Sequence, residues 1–270
     1  MSRVESWFGP RGTTAIESGR IHISFGHVLK AEFLKGKRAA PVKMLIGFCL
    51  AVVLGVLVGW AAGFNVTTLL NYWYALLLPA FVVLTCVSVV NLDAKHHWRA
   101  TSCLPVDGGS VWIAKITYCV ALSATEIALV LLIVTIGGGS IGSGEAAAAG
   151  LSLLVTSAWM IPAALALADG FGTLVGVLVT FLLDEVLSIV MWSNATLWMY
   201  CPPGAMLDVV VPMLKVMPSG VPVPMEPDSP LKTALATFGS QHVTALAVSL
   251  LVFLLLSALT AVWFSGKEQR

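Results

Sequence analysis

Two groups of residues in this chain are of types that could do chemistry: a polar loop and a few isolated acids. The loop, residues 91–115, reads NLDAKHHWRATSCLPVDGGSVWIAK and contains the adjacent histidines His96 and His97. A metal ion needs three or four convergent ligands, whereas neighbouring residues on a helix point about 100° apart. The sequence also has no HExxH pair and no GxxxxGK[ST] phosphate-binding motif. We therefore expect no catalytic residue, no metal site and no bound cofactor in this chain.

The isolated acids are Glu126, Asp184 and Glu185, each within a long apolar run. A charge at the centre of a membrane helix costs at least about 2.5 kcal/mol, so such residues usually face a cavity or a partner. They predict either a polar lining for a cationic substrate or a proton relay. The alternative is structural: Glu126 pairs with a polar group of a neighbouring helix, and the other two acids lie near the membrane interface. Away from their ends, the predicted spans contain no basic residue to pair with these acids, so both interpretations stay open.

The elements that must position these residues are membrane helices. Hydrophobic residues make up 58% of the 270 and charged residues 11%, whereas soluble domains carry about 25% charged residues. Residues 44–92 contain no Asp, Glu, Lys or Arg, which is long enough for two helices of about 20 residues each. Barrel strands would be shorter and alternating. The fold class is therefore an all-α integral membrane protein, and a net charge of +1 with scattered basic residues predicts no nucleic-acid partner.

The hydropathy pattern divides the chain into a tail, an interfacial helix and a six-helix membrane domain. Residues 1–25 are expected to be a flexible cytoplasmic tail. Residues 26–42 are expected to form an amphipathic helix whose lysines lie at anionic lipid headgroups. The membrane domain, residues 43–265, has a polar loop at 91–115 and a Pro-rich segment at 193–241. Its predicted spans are about 43–63, 72–90, 111–136, 145–168, 173–192 and 242–264.

Two further patterns concern packing and orientation. Small residues recur at every fourth position of the first span, a spacing that lets helix backbones approach closely in lipid: Gly47, Ala51, Gly55, Gly59 and Gly63. With the N-terminus inside, thirteen of the fifteen Lys and Arg residues fall on the cytoplasmic side, and only Lys215 and Lys232 fall outside. Cytoplasmic loops carry such an excess. Both termini and the 91–115 loop are therefore predicted to be cytoplasmic, and segment 193–241 extracellular.

Several stretches of the sequence resemble a known family. They are LKAEFLKGKR before the first span, LDAKHHWRATSCLPVDGGSVWIAK before the third, and YCPPGAM and MPSGVPVPMEPDSPLK between the fifth and sixth. Together they resemble ABC-2-type transporter permeases (type V exporter-like), and within these the lantibiotic-immunity permeases. The resemblance covers roughly residues 26–264. From the residues alone, the 91–115 loop could equally be a docking element or a solvated connection.

The resemblance implies partners for this chain. Two permeases would pair, as a homodimer or with a sister permease, and bind two copies of a cytoplasmic ATPase that holds the ATP and Mg. The interfacial helix and the 91–115 loop would contact the ATPase, and segment 193–241 would include re-entrant helices. The residues expected to couple to the ATPase are Asp93, His96, His97, Trp98 and Arg99.

The function that the resemblance implies is ATP-driven expulsion of lantibiotic-type peptides from a bacterial cell membrane. Such peptides are usually cationic and amphipathic, so acids are the expected contacts: Glu126, Asp184, Glu185, Asp208, Glu226 and Asp228. We expect the last three, which lie in segment 193–241 (the outer segment), to meet the peptide first. Two alternatives stay open: an ABC-2 permease that exports a drug or a lipid-linked molecule, and a membrane sensor or assembly protein without transport activity.

Overall fold

The computed structural model describes residues 24–63, 66–94, 107–139, 141–194, 196–223 and 238–268. Within these ranges the fold is helical, and the one β-type pairing is an isolated bridge between Val216 and Pro222. The helices are α1 (Phe25–Gly36), α2 (Ala40–Ala62), α3 (Val66–Ala94), α4 (Gly108–Ile136), α5 (Ser143–Phe171), α6 (Thr173–Met191), α7 (Pro202–Asp208), α8 (Val211–Leu214) and α9 (Ser240–Glu268).

Six of these helices, α2, α3, α4, α5, α6 and α9, are long and apolar enough to cross a membrane. The chain is therefore a multi-pass helical membrane protein, and the prediction of six apolar helices is confirmed. Backbone groups in lipid must be paired within the segment, which a helix does. The same number and length of helices are compatible with a membrane transport protein.

Two of the boundaries that differ from the sequence-based expectation bear on the candidate site. α3 begins at Val66, six residues before the expected start at residue 72, because Thr67, Leu70 and Asn71 are buried against the bundle rather than placed in a polar turn. α4 begins at Gly108, so the last eight residues of the expected 91–115 loop are helical. The chain between the two helices is thus shorter than predicted.

The bundle has a buried centre and an apolar outer surface. α3 and α5 are mostly buried and pack against each other, with Phe81 of α3 and Leu165 of α5 fully enclosed. α2, α6 and α9 instead turn large apolar side chains outward, among them Leu54, Leu182 and Leu255. Such outward faces suit contact with lipid or with another membrane helix, because lipid tails are as apolar as Leu.

The small-residue row of α2 contributes little to packing within the chain. A Cβ at Gly59 would lie 3.1 Å from Leu69, but one at Gly47 or Gly55 would meet no atom within 4 Å. Ala51 is exposed, and Gly63 ends the helix in the left-handed region at φ 72°. Among the described residues, close packing at this row is confined to Gly59, and a role of the row in packing against a second chain stays a prediction.

Side-chain contacts separate the two ends of the bundle. At the end that holds α1, Lys267 pairs with Asp169 at 2.9 Å. At the opposite end, the indole of Trp60 donates to the carbonyl oxygen of Gly137 at 2.8 Å, and Lys215 pairs with Glu145 at 3.0 Å. The helices therefore run alternately up and down, and we call the two ends the α1 end and the outer-segment end.

Candidate functional site

Four charged side chains from three helices meet at the α1 end, and we call them the ion cluster: Glu32, Lys35, Asp93 and Lys115. The Lys35 ammonium lies 2.8 Å from Glu32 Oε1 and 3.2 Å from Asp93 Oδ1. The Lys115 ammonium lies 3.1 Å from Glu32 Oε2 and also contacts Asp93 Oδ2. Each acid thus contacts both lysines, and the cluster joins α1 to the end of α3 and the start of α4.

The ion cluster is almost entirely buried. Lys115 is 0% exposed, Glu32 4% and Asp93 6%, and only Lys35 reaches solvent, with about a third of its side chain exposed. Burial lowers the pKa of the Lys35 ammonium, but its hydrogen bond and charge interaction with Glu32, together with Asp93, outweigh this and raise the pKa above its usual 10.5. Removing one partner from such a cluster leaves an uncompensated buried charge.

Apolar contacts hold α1 in place beside the ion cluster. Val28 packs with Val111 and Ala114 of α4, and the rings of Phe33 and Tyr118 meet edge to face at 5.0 Å. Gly36 lies so close to Tyr118 that a Cβ there would overlap the phenol ring and oxygen. α1 is therefore fixed to α4 by shape as well as by charge.

Sequence reasoning identified one member of the ion cluster and missed the other three. Asp93 was predicted as an ATPase-coupling residue, and the structure places it with Glu32, Lys35 and Lys115. A signal was present: Glu32 is the only acid in the basic stretch HVLKAEFLKGKR. Lys115 was taken as the last residue of the polar loop 91–115, but it lies seven residues into α4, about 11 Å along the axis.

The remaining predicted coupling residues, His96, His97, Trp98 and Arg99, lie outside the described residues. The far end of that stretch is described: the Asp107 side chain caps α4 by accepting from the Ser110 amide at 3.1 Å. A shallow groove of about 410 Å³ lies beside this cap, lined in part by Phe25 and Val262. The residues on both sides of the predicted docking loop are thus held in defined positions.

Glu126, the first of the intramembrane acids, is fully buried in α4, ten residues from its outer end. Its Oε1 accepts a hydrogen bond of 2.8 Å from the Trp73 indole of α3, and its Oε2 has no partner among the described residues. Trp73 opens a π-helical turn, Trp73–Leu77, within α3, and such turns often mark functional positions. The sequence also allowed a structural explanation, in which Glu126 pairs with a polar group of a neighbouring helix. Among the described residues, such a pairing is present for Oε1 but not for Oε2.

Asp184 is buried in α6, and its neighbour Glu185 is only partly buried. Neither oxygen of Asp184 has a hydrogen-bond partner in the described parts of the chain. Seven residues of α6 follow Asp184, about 11 Å of helix, and its position relative to the membrane interface stays a prediction. α7 of the outer segment packs against this half of α6, where the Ser188 hydroxyl donates to the carbonyl oxygen of Pro203.

The outer segment packs into the bundle rather than lying on it. Nearly all of α7 is buried, and Asn71 of α3 donates to the carbonyl oxygen of Pro218 at 3.2 Å. Tyr74 in turn donates to Asn71 Oδ1 at 2.6 Å. These contacts tie residues that follow α8 to the same stretch of α3 that holds Trp73.

Asp208, the last residue of α7, is the one described member of the three acids expected to meet the peptide first. It is only partly exposed, and its Oδ2 is buried without a partner among the described residues, so its contact with a peptide stays a prediction. Burial raises the pKa of this carboxyl group from 3.8 to about 7. Glu226 and Asp228 lie outside the described residues.

Two other kinds of site can be assessed in the part of the chain that the structure describes. It contains no group of three or more potential ligands that could hold a metal ion. The GGSIG run at residues 138–142 fits the GxSxG pattern, but it joins α4 to α5, whereas a nucleophile elbow joins a strand to a helix. Comparison with protein-family models, curated proteins and solved structures finds no match to this chain.

Proposed function

We propose that this chain is the permease subunit of an ATP-driven ABC-2-type exporter that removes lantibiotic-type peptides from a bacterial cell membrane. The observation that carries the proposal is the ion cluster, in which Glu32 and Lys35 of α1 contact Asp93 and Lys115. These contacts join a basic helix to both helices that flank the predicted docking loop.

The ion cluster supports a mechanical role for the α1 end. A partner that displaces α1, or the chain between α3 and α4, has to displace Asp93 and Lys115 as well, because separating buried charges is costly. Both transmembrane helices would then move with it. The sequence has no phosphate-binding motif of its own, so the energy for such a movement would come from a cytoplasmic ATPase, in two copies, acting on a pair of permeases.

The outer-segment end supports the peptide substrate. Asp208 and Glu126 each have a buried carboxyl oxygen without a partner among the described residues, near the contacts between the outer segment and α3. A movement that opened these contacts would expose the carboxyl groups to a cationic peptide leaving the outer leaflet, and its ammonium groups could then bind them. In this proposal the cytoplasmic ATPase and the bound peptide act at opposite ends of the chain.

The test is a tolerance assay in a lantibiotic-sensitive bacterial strain that carries this permease together with its ATPase. We expect the minimum inhibitory concentration of the lantibiotic to rise, and the rise to vanish when the ATPase is catalytically inactive. No gain in tolerance with a correctly inserted complex would contradict lantibiotic export. Tolerance that persists with the inactive ATPase would indicate a sensor or binding protein without transport.

A binding assay tests the partner separately from the substrate. We expect the double substitution Trp98→Ala with Arg99→Ala to abolish co-purification of the ATPase, and the matched change Lys267→Ala, at the same end of the bundle, to leave it intact. Retained co-purification would refute these two residues as the docking contact. Co-purification without lantibiotic tolerance would favour an ABC-2 permease for another substrate, such as a drug or a lipid-linked molecule.

A further inference from the structure

α6 turns a polar face toward the inside of the bundle. Its buried residues are Gly176, Thr180, Asp184 and Ser188, which are spaced by four and therefore lie on one side of the helix. The opposite side carries exposed leucines and valines. α3, α5 and α7 pack against α6, so a carboxyl group points into the interior of the fold at Asp184.

Nothing in the described structure neutralises Asp184. Both of its oxygens, and the hydroxyl of Thr180, lack a hydrogen-bond partner. α3, α5, α6 and α7 contain no Lys, Arg or His. The titratable groups that interact with its charge are Glu185 and Cys201, neither of them cationic. The other titratable groups on the packed elements are Tyr72, Tyr74, Cys86 and Asp93 of α3, Glu145 and Asp169 of α5, and Asp208 of α7.

The size of the site limits what can neutralise the carboxyl group. Neither oxygen borders a space large enough for a water molecule, so a hydrated ion, an ammonium group or a guanidinium group does not fit in this conformation. A bare metal cation would need several further ligands, and the described residues contain no group of three or more His, Cys, Asp or Glu side chains that could hold one. An isolated carboxylate in an apolar interior is too costly to persist.

We propose that Asp184 is an intramembrane proton-binding site, which carries its proton while α7 covers it. The proton sits on a carboxyl oxygen and leaves as hydronium when water reaches that oxygen, so no other reactant is needed. This inference does not depend on a transport substrate or on an ATPase. The proposal applies to Asp184 and not to Glu126, because one oxygen of Glu126 accepts a hydrogen bond from the Trp73 indole.

α7 is the cover of the site. The hydroxyl of Ser188, one turn beyond Asp184, donates to the carbonyl oxygen of Pro203 at 3.1 Å. A Cβ at Gly204 would lie 2.9 Å from Met191 Cβ, so α7 approaches α6 as closely as a glycine permits. Water reaches Asp184 from this side only when α7 moves away from α6.

Infrared spectroscopy of the purified protein in lipid nanodiscs at pH 7 tests the proton directly. The carbonyl stretch of a protonated carboxyl group is well separated from the bands of a carboxylate. We expect the difference spectrum between the wild type and Asp184→Asn to show the loss of one protonated band. The matched variant Asp169→Asn removes an acid paired with Lys267 and should remove a carboxylate band. Loss of a carboxylate band in Asp184→Asn would overturn the proposal.

A second measurement keeps the proposal falsifiable if Asp184→Asn does not fold. Dicyclohexylcarbodiimide, which adds to protonated carboxyl groups in apolar surroundings, should modify Asp184 in the wild type at pH 7 and leave Asp169 unmodified, as mapped by mass spectrometry. An Asp184 that stays unmodified both in the wild type and in Gly204→Ala, where the added Cβ pushes α7 away from Met191, would count against the bound proton. Failure of either test leaves the proposed exporter function unaffected, since neither measures transport.

The rate at which the Asp184 proton exchanges in heavy water tests whether α7 covers the site. Gly204→Ala adds the Cβ that pushes α7 away from Met191, so we expect the protonated band of Asp184 to shift to its deuterated position at least several-fold faster. The control is Gly144→Ala, where an added Cβ meets no atom within 4 Å, and its rate should equal that of the wild type. Equal rates in Gly204→Ala would refute α7 as the cover.

Discussion

Lys115→Met is the sharpest test of the ion cluster. Methionine keeps the length and packing of the lysine stem, so the change removes the ammonium group and little else. Glu32 and Asp93, both buried, would keep only Lys35, which lies 2.8 Å from Glu32 and 3.2 Å from Asp93. Breaking a buried charge cluster by removing one partner costs about 3–5 kcal/mol. Because Lys35 still contacts both acids, we expect the lower end, about 3 kcal/mol.

The matched variant is Lys35→Met, at the exposed edge of the same cluster. Lys115 would still contact both acids, and an ion pair open to solvent contributes about 0–1 kcal/mol. The two substitutions remove the same group from the same two carboxylates and differ mainly in burial. We therefore expect a gap of about 2 kcal/mol between them.

The free energy of unfolding can be measured in detergent micelles by titration with a denaturing detergent, with tryptophan fluorescence and helical circular dichroism as the two signals. The double variant Glu32→Gln with Lys115→Met should recover part of the loss, because one uncompensated carboxylate is gone. Equal destabilisation by Lys35→Met and Lys115→Met would refute the argument that burial makes the cluster hold α1 in place.

Three further predictions concern the same measurement. Gly36→Ala places a Cβ where the Tyr118 phenol lies; we expect a loss of about 1–3 kcal/mol from overpacking, and recovery when Tyr118→Ala is added would confirm the cause. Trp73→Phe leaves both buried oxygens of Glu126 without a donor; we expect a loss of about 1–3 kcal/mol, and an unchanged unfolding midpoint would contradict it. The pKa of Asp208 is raised from 3.8 to about 7, so the folded state holds a proton that the unfolded state loses, and stability should fall as pH rises between these values. We expect the unfolding temperature of Asp208→Asn to fall less steeply with rising pH than that of the wild type. An equal slope in the two proteins would refute the prediction.

The fold was predictable from sequence where a long apolar run decides the structure. Residues 44–92 contain no charge, and two spans follow from length alone. The start of α3 was missed because Asn71 and Thr67 look like turn residues. Their polar groups are in fact used within the bundle: Asn71 bonds Tyr74 and Pro218.

The ion cluster and the intramembrane acids were predictable only in part, because each depends on contacts between residues that lie far apart in the sequence. Glu32 and Lys115 are 83 residues apart, and no spacing rule relates a residue of an interfacial helix to one inside a span. The sequence showed that Glu126 and Asp184 are acids at positions where a charge is costly, but it could not show which of the two lacks a hydrogen-bond donor. The structure separates them, because Glu126 has a donor on a neighbouring helix and Asp184 has none among the described residues.

The two polar regions share α3 and α4. α3 carries Asp93 at the α1 end and Trp73 at the other, and α4 carries Lys115 and Glu126, which are eleven residues apart, about 17 Å. Displacing α1 would act on both helices through the ion cluster, and their far halves are joined by the Trp73–Glu126 hydrogen bond. A stiff helix transmits such a displacement along its length. At a π-helical turn, by contrast, the helix can shift its register. The turn at Trp73–Leu77 therefore lies where movement of α3 would reach the outer segment through Asn71 and Pro218.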